Sequence, residues 1–157
     1  MWSRVRRAGK VTALVSLALL AARSAYAELG GAPITPPLDA SVSSRIASRA
    51  TSSYTVRETA LANGTVIREY LDARGAVFGV AWHGPRMPDL SDLLGSYFPQ
   101  YIAGAQAAKA ARGGGRGPVA VERNGLVARS GGHMGALSGQ VWLTPALPVG
   151  VSGSDIE

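Results

Sequence analysis

The chain has 157 residues, a formal net charge of +6, no cysteine, and 46% apolar residues. That is enough for one domain with a modest core, and the lack of cysteine excludes thiol catalysis, disulfide staples, thiolate metal centres and a lipidated N-terminal cysteine. The basic balance does not signal nucleic acid, because five basic residues (Arg4, Arg6, Arg7, Lys10, Arg23) fall within residues 1–27 with no acid among them. Residues 28–157 then hold 11 Lys and Arg against 10 Asp and Glu, about +1.

Residues 1–27 have the three-part layout of a secretory signal: a basic start, an apolar run over residues 11–22, and small residues at Ala25 and Ala27 that suit a signal peptidase. Cleavage after Ala27 leaves Glu28 as the new N-terminus. The apolar run is about 18 Å long as a helix, short of a hydrocarbon core of about 30 Å, so an uncleaved anchor is disfavoured. No large apolar residues follow Arg6-Arg7, which favours general secretion over a twin-arginine route. The expectation is a periplasmic or secreted protein with no stable membrane span after cleavage.

Residues 28–53 are rich in Ser, Ala, Pro and Gly and show no apolar period, which reads as an extended or disordered leader. From Tyr54 the pattern changes to a single domain over residues 54–157. Segments 54–62 and 65–71 flank Asn63-Gly64, a tight hairpin turn, and that turn chemistry also accounts for the glycosylation-like Asn63-Gly64-Thr65. Segment 76–82 is apolar on both faces, as in a central strand. A helix begins at Asp89, whose carboxylate caps the first turn with Asp92 favourable to the dipole. Leu90, Leu93, Leu94, Tyr97 and Tyr101 form its apolar stripe, and Pro99 predicts a kink at Phe98. Gly113 to Gly117 ends it. Segments 118–123 and 126–130 flank a second Asn-Gly turn at Asn124-Gly125, and 135–143 is the last strand, before a Pro/Gly-rich tail. The expected fold is α+β: an antiparallel sheet in the order β-β-β-α-β-β-β with one kinked helix on one face.

Few residues suggest chemistry. Gly115 to Ala120 loosely matches a dinucleotide-binding fingerprint but follows a helix and contains Pro118, so it reads as a loop. A hydrolytic site would use His133 or His83 as base, Ser130 or Ser91 as nucleophile, and Asp89 or Asp92 to orient it, and His133 is the candidate catalytic residue. The two histidines lack metal-ligand spacing, and no cofactor motif is present, so neither a metal nor a cofactor is expected. Arg112, Arg116, Arg123 and Arg129 read as a solvated basic face with no role in nucleic-acid binding. Phe78, Trp82, Tyr97, Phe98, Tyr101 and Trp142 are candidates either for the core or for a ligand-lining cluster.

The stretch from Ala76 through Trp82-His83-Gly84-Pro85 to Leu90, continued by Leu93 to Tyr101 and by Ser130-Gly-Gly-His-Met134, resembles a family of exported bacterial proteins known as domain of unknown function 2844. Leu29-Gly30-Gly31 is similar to the start of its members after their signal peptide. Other members carry Gln where this chain has His83, which argues against a catalytic His83. The resemblance implies export and assigns no activity or ligand.

With no convincing catalytic constellation, the sequence favours a non-enzymatic binding module. Its partner would be another envelope protein or a small apolar molecule held between helix and sheet, with the Pro99 break opening a cleft. The alternatives are a hydrolase built on His133 and an assembly factor that docks through residues 28–53.

Overall fold

A computed structural model describes residues 28–34, 45–115 and 117–157. The expected export signal with Ala27, the middle of the leader and Arg116 lie outside the described residues. Seven strands form one antiparallel sheet: β1 (Arg45–Ala50), β2 (Thr55–Ala60), β3 (Val66–Leu71), β4 (Val77–Gly84), β5 (Val119–Arg123), β6 (Leu126–His133) and β7 (Ala136–Leu143). Their spatial order is β1-β2-β3-β4-β7-β6-β5, so β4 lies at the centre. The class is α+β as expected, but four strands precede the helical segment. The additional one, β1, lies in the stretch read as a leader.

The turns follow their residue chemistry. Asn63 Oδ1 accepts the Thr65 N–H at 2.9 Å, and Gly64 takes φ +83°. Asp72 accepts the N–H groups of Arg74 and Ala76 at 2.8 and 2.9 Å, which closes the β3–β4 turn. Asn124 and Gly125 both take positive φ, 47° and 80°, the geometry of a two-residue hairpin whose twist matches the strands.

The helical segment has two parts, α1 (Leu90–Leu94) and α2 (Phe98–Ala111), joined by a 3₁₀ turn at Gly95–Tyr97. Asp89 caps α1 as expected, accepting from the N–H groups of Ser91 and Asp92. The break falls before the position that Pro99 predicts. Gly95, at φ +48°, ends α1, and Pro99 sits in the first turn of α2, where a missing N–H costs nothing.

One face of the sheet is covered by the helical segment and the other in part by the C-terminal residues. On one, Leu93, Leu94 and Tyr101 pack on Val80, Trp82, Val121, Leu126 and Val141. On the other, Val56, Tyr70, Phe78, Ala81 and Trp142 pack under Ile156, with Leu147 and Val151 beside them. Phe78 is an extra residue opposite β3, because Tyr70 pairs with Gly79 and Leu71 with Val77, and this bulge turns Phe78 to the second face.

Two segments thus depart from the sequence reading. The supposed tail is a strap across the second face, with Ile156 fully buried. The described parts of residues 28–53 do not form a separate leader. Leu29 is 1% exposed, the Gly30 N–H donates to the Val77 carbonyl at 2.7 Å, and the Val77 N–H donates to the Gly31 carbonyl at 2.9 Å. These bonds extend the pairing of β4 past Gly79, where its pairing with β7 stops.

The sheet makes room for its aromatics with glycine. The Trp82 indole lies on Gly139, so that a Cβ there would run into the ring. We expect Gly139→Ala to destabilise the fold by about 1–3 kcal/mol, the usual cost of overpacking. Urea unfolding checks this, and an unchanged midpoint would contradict the packing described.

Candidate functional site

The strap covers only part of the second face. Ala81 pairs with Gln140, Gln140 with Arg129, and Arg129 with Ala120, so one row of side chains crosses β4, β7, β6 and β5 on that side. The adjacent row is His83, Ser138 and Gly131. Gln140, Arg129, Ala120 and this second row, together with Pro118 and the exposed Glu157, line an open trough of about 560 Å³, with Ala81 buried beside it under the strap. Its floor is shallow because Ala120, Gly131 and Ser138 are small. One wall is fixed: the Arg129 guanidinium sits 5.5 Å from the centroid of the Trp142 ring, a cation–π contact that holds an exposed cation in place.

His133 is elsewhere. It stands at the tip of the β6–β7 hairpin, with its Nδ1 3.1 Å from the Met134 carbonyl oxygen. The hollow beside it is lined by Pro85, Arg86, Gly132, Met134, Gly135 and Leu137, without a carboxylate or hydroxyl. Ser130 lies an odd number of positions along the same strand and so points to the opposite face, where its Oγ is 3.5 Å from the Tyr101 hydroxyl. Ser91 and Asp89 hydrogen-bond each other at the start of α1, and Asp92 gives its N–H to the same cap. The structure therefore does not bring the proposed base, nucleophiles and acids together. Of these residues His83 and Ser130 border the trough, but the Ser130 hydroxyl lies on the opposite face beside Tyr101.

The other sequence candidates also disperse. Phe78 and Trp142 belong to the strap-side core, while Trp82, Tyr97, Phe98 and Tyr101 belong to the helix-side core, so they do not form one ligand-lining cluster. Near the Pro99 break, the expected place for a cleft, Tyr101 is buried in the helix-side core at 6% exposure. An opening of about 370 Å³ lies farther along, between Gln106 and Lys109 of α2 and Val119 of β5, and it faces outward. Arg112 donates to the Pro118 carbonyl at 2.8 Å and Arg129 lies over Trp142, so the arginines serve separate local purposes. Among the described residues no group of three or more His, Cys, Asp or Glu side chains could hold a metal ion. No helix there is long and apolar enough to cross a membrane.

A buried carboxylate adds a feature that the sequence reading missed. Glu69 is 1% exposed on the helix-side face, flanked by Arg57 of β2 and Val80 of β4. Its Oε1 accepts the Ile34 N–H at 2.7 Å, and its Oε2 lies 3.9 Å from the Arg57 Nε, too far for a hydrogen bond. The signal was its place between Ile67 and Leu71, an acid on an apolar face of the strand. The nearby Thr59 Oγ1 and Trp82 Nε1 are also buried without a partner among the described residues.

Burial raises the Glu69 pKa above its ordinary 4.5, against the pull of the Ile34 N–H and the Arg57 charge. The folded state thus holds this proton more tightly than the unfolded chain. The stability it contributes is complete below the ordinary value and is lost as pH rises through the raised one. Glu69→Gln removes this loss, so the variant should gain on the wild type as pH climbs through that window. Urea titrations across the window check it, and a difference that is flat with pH would contradict it.

These features define a small α+β domain with a helix on one face of its sheet and a partial strap on the other. The chain belongs to the family described as protein of unknown function (DUF2844), whose model matches residues 25–156. No curated protein and no solved structure matches the chain.

Proposed function

We propose that the protein is exported through residues 1–27 and works as a non-enzymatic binding module, taking a segment of another envelope protein into the trough of the strap-side face. The observation that carries this reading is the uncovered half of that face, with its small-residue floor beside the anchored Arg129. An open, shallow surface of this kind suits an extended chain or loop better than a small apolar molecule, which is usually enclosed on most sides. Gln140, Ser138 and His83 supply polar groups along the trough, and Ala120 and Gly131 let a backbone approach closely.

Export is supported by the layout of residues 1–27 and by the near-neutral balance of residues 28–157. A binding role is favoured over hydrolysis because, among the described residues, His133 has only a backbone carbonyl as hydrogen-bond partner.

The test is affinity purification of the mature chain from its native envelope, beside Ser138→Trp and Arg129→Ala variants. A partner recovered with the wild type should be lost from the Ser138→Trp sample, whose side chain fills the trough, and reduced with Arg129→Ala. Equal recovery by all three would overturn the assignment. His133→Ala should leave recovery unchanged, and its stability should stay within about 0.5 kcal/mol of wild type, as for other exposed substitutions.

A further inference from the structure

Residues 28–31, directly after the expected cleavage point, are held in a compact turn on the domain. The Glu28 N–H donates to the Ala32 carbonyl at 3.2 Å, and the Gly31 N–H donates to the Glu28 carbonyl at 2.7 Å. The Leu29 N–H donates to the Leu93 carbonyl at 3.2 Å, and its side chain is 1% exposed within the helix-side core. The Glu28 carboxylate accepts the Ser96 N–H at 2.8 Å, beside Gly95, where any Cβ would collide with it. Gly30 and Gly31 bond both polar groups of Val77. The folded body thus grips this short segment by hydrogen bonds and packing together.

A peptidase binds the residues around a scissile bond in extended form, like an added strand, and needs their backbone groups free. The nitrogen of the Ala27–Glu28 bond belongs to a residue that is here in a turn, with its N–H already engaged. None of these contacts requires Glu28 to be an N-terminus, so a chain that folds before it is cut can dock them too. We propose that residues 28–31 form a latch that protects the Ala27–Glu28 bond once docked, so that signal peptidase cuts only chains in which the latch is still open. This rests on the export reading above. In the cut, water adds across the amide: Ala27 keeps the new carboxylate, and the Glu28 nitrogen leaves as an α-ammonium. That ammonium retains a proton to donate to the Ala32 carbonyl, so the cleaved chain closes the same latch. Processing therefore precedes the last step of folding.

The experiment uses the full chain, refolded in detergent micelles, and a peptide of residues 1–34, both treated with purified signal peptidase and followed by mass spectrometry. The peptide should be cut between Ala27 and Glu28, and the folded chain about tenfold or more slowly, since cleavage samples only the open fraction. Leu29→Ser, which weakens the latch, should speed cleavage of the folded chain. Hydrogen exchange at the Val80 and Val141 amides, in the central β4–β7 ladder, would show whether the rest of the sheet remains folded in that variant. If it unfolds globally, the comparison of wild-type chain with peptide still decides. Equal rates for peptide and folded chain would overturn the latch alone. A peptide left intact would overturn the export reading and the latch with it.

Discussion

Burial of β4 on both faces is the constraint that sets the rest of the architecture. A strand that reads Val-Phe-Gly-Val-Ala-Trp carries apolar side chains up and down, so neither face can be left to water. One face is closed by Leu93, Leu94 and Tyr101 from the helical segment and by Leu29. The other is closed by the strap through Ile156. An antiparallel sheet commonly solvates one side, and here that side survives only beyond the strap, where the trough runs from His83 at the end of β4 across β7 and β6 to β5.

Glycine acts as the counterpart of the large side chains. Gly139 receives the Trp82 indole, Gly79 receives Ile156, and Gly153 lies against the Trp142 ring. The first two pairings join segments distant in sequence, and each of the three allows a bulky group to lie against backbone. The glycine content that reads as loop composition is partly core composition. The same flatness leaves the trough shallow, because Gly131 and Ala120 supply no side chain tall enough to fill it.

What the sequence made legible was local. The Asn63-Gly64 and Asn124-Gly125 turns, the Asp89 cap and the two-faced apolar strand depend on neighbours within a few residues, and all appear where their chemistry places them. Leu29 and Ile156 were illegible because each is a lone apolar residue among Gly, Ser, Ala and Pro, with no period to mark it. Their burial depends on what β4 lacks rather than on their own context. The trough was hidden for a related reason: it exists only when four strands are placed in register, which brings Ala81, Gln140, Arg129 and Ala120 into one row. His133 drew attention by residue type alone, and a hairpin tip gives it no companions.

Leu29 and Ile156 come from opposite ends of the domain sequence, yet both finish on the middle strand. Contacts between residues so far apart along the chain carry a loop-closure cost that must be met before they contribute. The second face is therefore sealed only once residue 156 is in place, so the strap closes after nearly the whole chain is available.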